Sequence, residues 1–109
     1  MGLVARGIEE RGIPTICLVL ARDIAALVRM PRAAFLDFPM GHTVGRPGEA
    51  DEQRRILRAA LEAAPGITQA GEIVDLPFQW EASGSRAWEA ELRTFYLGHQ
   101  LTGGDGGRP

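Results

Sequence analysis

The sequence predicts an α/β fold, a small parallel sheet layered with helices in the Rossmann-like or flavodoxin-like manner. Three observations carry this expectation. Two short apolar runs, TICLVL over 15–20 and AAFLDF over 33–38, have the length and unbroken hydrophobicity of strands buried on both faces. Amphipathic segments with helical spacing alternate with them. A glycine-rich loop follows the second run, at the strand end where open α/β sheets usually hold ligands. With 109 residues the chain allows one compact domain, expected over 1–97, followed by a flexible Gly-rich tail over 98–109.

The elements follow in order. Leu3, Val4, Gly7 and Ile8 recur at helical spacing and are expected to form the inner face of a first helix, with Arg6, Glu9, Glu10 and Arg11 outward. Gly12 suits the helix C-terminus and Pro14 forbids continuation. The first strand follows, then a brief helix, IAALVR, with Asp23 as its cap and Pro31 as its end. After the second strand comes the loop and then the best helix of the chain, about 50–64. Glu49, Asp51 and Glu52 stand at its positive N-terminus, and Ile56, Leu57, Ala60, Leu61 and Ala64 form its apolar face. EIVDLPFQW, over 72–80, reads as a third strand that Pro77 breaks or confines to an edge. A last amphipathic helix spans 86–97, with Trp88, Leu92, Phe95 and Tyr96 inward. The chain opens on a helix with no strand before it, so the sheet is expected to lack its first strand and to leave one edge open. A strand from another chain would fill that edge, or this sequence is a fragment; the second reading is preferred.

Composition excludes several classes. Net charge is −2, and the twelve basic residues, all Arg, are scattered, so a nucleic-acid partner is not expected. No apolar run approaches the roughly 20 residues of a membrane-spanning helix, and no export signal is evident, so a cytoplasmic location is expected. One cysteine makes neither an internal disulfide nor a CxxC motif. Metal-ligand clusters and Ser-His-Asp patterns are absent from the sequence, and no metal or cofactor is expected.

The loop over 39–48, PMGHTVGRPG, is the segment whose composition asks for a reason. Gly41 and Gly45 let backbone amides approach a ligand, Arg46 is suited to clamping a carboxylate, and His42 to donating a proton or holding a carboxylate. The same glycines equally suit a purely structural loop with His42 bonded to backbone. Asp37, a carboxylate inside an apolar run, calls for either a structural partner or a place in the site. Cys17, within the first strand, reads as a small buried hydrophobe. Trp80, Trp88, Phe78 and Phe95 read as core.

GLVARGIEERGIPTICLVL, followed by VRMPRAAFLDFPMGHTVGRPGEADEQRRILRAAL, resembles the selenoprotein B family, the subunits of glycine, sarcosine, betaine and D-proline reductases and their cysteine-containing relatives. The shared features are an E-x-x-GIPT junction, R-x-P-R-A before the second strand, F-P-x-GH-x-x-G-x-PG-(D/E), and a glutamine early in the next helix, here Gln53. The likeness covers about residues 2–62; beyond it only EIVDLPFQW fits, and loosely. The resemblance implies reductive cleavage of a small amino-acid-like substrate. In it a low-pKa selenocysteine or cysteine attacks and a second thiol resolves the adduct, with electrons drawn from a dithiol donor. The family places that nucleophile just before the segment equivalent to Met1-Gly2-Leu3-Val4, and Cys17 does not match it. The position of the loop makes His42 the candidate catalytic group, with Gly41, Gly45, Arg46 and Asp37 as candidate substrate-binding residues. The partners the resemblance implies are other reductase subunits, or a second copy paired through the open strand edge. The alternative is an accessory α/β module that binds a small molecule and has no chemistry of its own.

Overall fold

The computed structural model describes residues 1–81 and 83–98, without the side chains of Leu92 and 95–98. The elements are α1 (Gly2–Glu10), β1 (Cys17–Val19), α2 (Arg22–Val28), β2 (Arg32–Phe35), α3 (Ala50–Ala63) running into a 3-10 turn (Ala64–Gly66), β3 (Glu72–Asp75) and α4 (Ala87–Gly98). The strands form one parallel sheet in the order β1-β2-β3, with Cys17 opposite Ala33 and Ala33 opposite Ile73. The α/β class stands as the sequence predicted it. Among the described residues the outer edge of β1 carries no further strand.

Strand alternation divides the core into two layers. The even-numbered residues Leu18, Ala34, Leu36, Phe38, Leu76, Phe78 and Trp80 meet Ile56 and Ala60 of α3 on one face. The odd-numbered residues Cys17, Val19, Ala33, Phe35 and Ile73 meet Ala5 of α1 and Ala25 of α2 on the other. The hydrogen-bonded ladders are shorter than the apolar runs that announce them. β2 ends at Phe35, yet Leu36 donates to the Val19 carbonyl at 3.0 Å, and Leu36 and Phe38 stay buried. Beyond β3, the Leu76 N–H donates to the Phe35 carbonyl at 2.9 Å, and Pro77 then ends the pairing. The chain leaving β2 and the chain leaving β3 therefore run on together past the C-terminal end of the sheet.

The first helix departs from its expected orientation. Its buried residues are Gly2 and Ala5, while Leu3 is 80% and Val4 64% exposed. Of the polar residues expected outside, Arg6, Glu10 and Arg11 are exposed as expected, while Glu9 is half-buried. Glu9 accepts the backbone and hydroxyl hydrogens of Thr15, both at 3.0 Å, and pairs with Arg32 at 3.2 Å; Arg6 donates to the carbonyls of Val28 and Arg29. The reason is spacing. α1 approaches α2 so closely that a Cβ on Gly2 would stand 2.6 Å from Val28 Cγ1, so only a small residue fits there between the two helices. Asp23 bonds only to the N–H of Ile24, and α2 ends instead on Arg29 in the left-handed region at φ +55°. Trp88 is half-buried with Arg86 over its ring at 5.1 Å, whereas the inward placing of Leu92, Phe95 and Tyr96 and the tail over 99–109 lie outside the described residues.

Candidate functional site

The loop between β2 and α3 crosses the C-terminal end of the sheet and is built from short turns: His42 N–H to the Pro39 carbonyl, Gly45 N–H to the His42 carbonyl, and Glu49 N–H to the Arg46 carbonyl, at 3.0, 3.1 and 3.2 Å. Such turns need positive φ, which Gly41 and Gly45 adopt at +93° and Gly48 at +78°. Gly45 has a second constraint, since a Cβ there would lie 2.7 Å from Glu52 Oε1 and 3.1 Å from Ile56 Cδ1.

Arg46 fastens this loop to the rest of the molecule. Its backbone N–H donates to Glu52 Oε1 at 2.8 Å and its guanidinium to Glu52 Oε2 at 3.1 Å. Its carbonyl accepts from Gln53 Nε2 at 2.8 Å. The guanidinium also donates to the Trp80 carbonyl and lies 3.9 Å above the Trp80 ring centroid. One side chain thereby joins three segments: the loop, the first turn of α3, and the chain that continues β3.

Trp80 is the hub of the site. It meets Phe38 edge to face, with ring centroids 5.2 Å apart at 76°, and His42 likewise, at 4.9 Å and 62°. His42 is half-buried. Its Nδ1 is sealed from solvent and has no hydrogen-bond partner among the described residues, which leaves Nε2 as the nitrogen through which the ring can pass a proton. On either side of His42 in the chain, Gly41 and Thr43 line a cleft of about 250 Å³ with Leu18, Leu20, Ile24 and Met40.

The residues singled out from the sequence fall into place as follows. His42 and Arg46 both contact Trp80. Gly41 is exposed at the cleft, and Gly45 is buried beneath the loop. Asp37 follows β2 and pairs with Arg86 at 2.9 Å, linking the strand end to the start of α4. Cys17 lies on the opposite face of the sheet at 5% exposure, and burial pushes its thiol pKa up, away from the thiolate. Sequence reasoning missed Glu52, read there as a complement to the helix dipole, and gave Trp80 to the core alone. The alternation Leu76, Phe78, Trp80 was the available signal, because it continues one strand face past Pro77 toward the loop.

A second cleft, about 340 Å³, opens at the other end of the strands among Arg6, Glu9, Arg32, Thr68 and Gln69. Of its charged groups, Arg6, Glu9 and Arg32 are bonded to one another and to the Thr15 and carbonyl groups around them, and only Glu10 is not, so we take the loop end as the candidate site. Among the described residues no cluster of three or more His, Cys, Asp or Glu side chains could hold a metal ion, and no helix is long and apolar enough to cross a membrane.

No family model and no solved structure matches the chain. It is similar to the D-proline reductase subunit gamma of Acetoanaerobium sticklandii, with 36% identity over 80 residues, which is 73% of this chain and 33% of that protein. The chain spans about a third of the length of the curated relative it matches. The likeness relates this small parallel α/β domain to a reductase subunit.

Proposed function

We propose that the chain forms part of a thiol- or selenol-dependent reductase, with its substrate pocket at the loop over 39–48 and a small amino acid, D-proline first among candidates, as the substrate. Glycine, sarcosine and betaine are the alternatives within the resemblance. The observation that carries the reading is the His42–Trp80 contact, an imidazole held on an aromatic ring beside a glycine cleft at the C-terminal end of a parallel sheet, in a chain similar to a D-proline reductase subunit.

The chemistry is reductive cleavage. A dithiol supplies two electrons and two protons and leaves as a disulfide, while one C–N bond of the substrate becomes a C–H and an N–H bond. His42 Nε2 protonates the departing nitrogen or holds the substrate carboxylate. The amides around Gly41 accept the close approach of the substrate, while Gly45 and Arg46 brace the loop from behind and Asp37 ties the strand end to Arg86, none of the three lining the cleft. Cys17 is buried on the far face, so the attacking thiol or selenol comes from outside these 109 residues. Other reductase subunits are the partners this implies. A dithiol-fed reaction belongs in the cytoplasm, where thiols are kept reduced. The buried Cys17 also favours the second reading, a module that binds the substrate and leaves the chemistry to another polypeptide.

Calorimetry with D-proline, glycine and betaine tests the pocket. One of the three is expected to bind, and His42→Ala to weaken it about tenfold, on the order of one hydrogen bond to a charged group. Equal binding by wild type and His42→Ala, or no binding at all, overturns the site. The chain alone with a dithiol donor is expected to give no cleavage; turnover by it would contradict the external nucleophile.

A further inference from the structure

A histidine in a loop of turns needs something to fix its ring, and a hydrogen bond from one ring nitrogen ordinarily does so. At His42 that device is missing. Its Nδ1 is sealed from solvent and has no hydrogen-bond partner among the described residues. The turns place its Cα and leave the ring to be set by packing. What meets the ring is Trp80, edge to face, with centroids 4.9 Å apart at 62°. Trp80 has firm contacts of its own. It meets Phe38 edge to face at 5.2 Å, and Phe38 is 3% exposed in the core beneath α3. The Arg46 guanidinium lies 3.9 Å above its ring centroid and donates to its carbonyl, and Arg46 is tied to Glu52 of α3 at 3.1 Å. A line of fixed contacts thus runs from the core and α3 through the indole to the imidazole.

We infer that Trp80 is a positioning residue: its indole sets the orientation of the His42 imidazole, in place of a hydrogen bond to the ring, and keeps Nε2 as the nitrogen open to a ligand. Two features support this division of labour. An edge-to-face pair prefers a defined tilt and separation, so it orients a ring without consuming either nitrogen. Trp80 does not line the cleft of Gly41 and Thr43, so it acts through His42 and not on a ligand there. That a substrate uses the ring rests on the function proposed above; the orientation of the ring by Trp80 does not.

The test follows the isotope-labelled full chain by NMR, first without ligand. In the wild type the His42 ring carbons are expected to relax as those of an ordered side chain, with cross-peaks from the imidazole protons to the Trp80 indole. Trp80→Leu is expected to abolish that order, and Trp80→Phe, which keeps an aromatic edge, to preserve most of it. The Arg46 amide, bonded to Glu52, should stay protected from exchange in both, which separates a freed imidazole from an unfolded loop. Calorimetry with D-proline follows. Trp80→Leu is expected to weaken binding about tenfold, as His42→Ala does, and Trp80→Phe by no more than about twofold. The double variant Trp80→Leu with His42→Ala should lose no more than His42→Ala alone, because one residue acts through the other. A mobile His42 ring in the wild type, an ordered one in Trp80→Leu, or additive losses in the double variant overturns the positioning role. If Trp80→Leu does not fold, the wild-type ring and Trp80→Phe decide it: an ordered ring in both supports the role, and a mobile ring in the wild type overturns it. Spectra as expected with no binding of D-proline keep the positioning role and remove the proposed substrate.

Discussion

The loop end and the α1 flank use their polar residues in opposite ways. At the loop end, Arg46, Glu52 and Gln53 bond to one another to fix a glycine-rich segment that has little regular structure of its own, and the result is a cross-braced corner around Trp80. At the flank, Arg6 and Glu9 fix a helix by its inner side and leave the apolar side unpaired. The first arrangement immobilises a loop. The second leaves an aliphatic helix face in solvent. Exposure alone does not separate the two, since both regions are accessible; what separates them is which groups are left without partners, an imidazole in one and aliphatic side chains in the other.

The widest gap between regions is expected in stability. Leu36 is fully buried between the sheet and α3, and Leu36→Ala should cost about 3 kcal/mol through lost burial and the cavity left behind. Leu3→Ala, on the flank, should change stability by no more than about 0.5 kcal/mol. Urea unfolding of the two variants checks both, and a large loss at Leu3 would mean that the flank is already packed within this chain.

Glu52→Ala comes next. It leaves the Arg46 N–H and guanidinium without their acceptor and should cost roughly 1–3 kcal/mol, with the Trp80 fluorescence changing as the Arg46 stack loosens. Glu52→Gln, which keeps an acceptor, should lose less. Gly45→Ala should cost about 1–2 kcal/mol, because a non-glycine residue in this left-handed conformation is strained and its Cβ meets Glu52. If Gly45→Ala is neutral in thermal unfolding, the loop is not braced as described.

The smallest effect belongs to the flank's inner anchor. The Thr15 backbone N–H, then the Thr15 hydroxyl and Arg32, hold the Glu9 carboxyl below its ordinary value of 4.5, against the opposing pull of desolvation. A lowered folded-state pKa stabilises the fold above the unfolded value, and that contribution is lost as pH falls from about 4.5 through the lower folded value. Glu9→Gln should flatten the acid side of a melting-temperature profile in that window and leave the slope near neutrality alone. An unchanged acid limb would show that the anchor contributes nothing.

The two regions were not equally legible in the sequence. The loop was, because three glycines and two prolines in ten residues admit little but turns, which the positive φ of Gly41, Gly45 and Gly48 bears out. The brace across it was not: Arg46 and Trp80 are 34 residues apart, and although the alternation Leu76, Phe78, Trp80 carries one strand face past Pro77, it does not name Arg46 as the partner. The helix over the first residues was legible as a helix and misjudged as a packed one. Periodicity tells which residues share a face, and says nothing about what that face meets. Here Gly2 and Ala5, too small to register as an apolar face, are the buried ones, Gly2 against α2 and Ala5 in the core with the strands, and the larger residues were taken for core. The strand ladders were shorter than their apolar runs for a related reason. Leu36 and Phe38 remain buried after the pairing with β3 has ended, so burial extends past hydrogen bonding.

The central claim, that the pocket lies at the loop end around His42, is tested most directly by titrating the isotope-labelled 109-residue chain with D-proline and following the backbone amide and imidazole resonances. The account predicts saturable shifts at Gly41, His42 and Thr43 and in the Trp80 indole, with the amides of Arg6, Glu9 and Gln69 unmoved. Shifts confined to those three residues at the other end of the sheet, or none at any concentration, would contradict it.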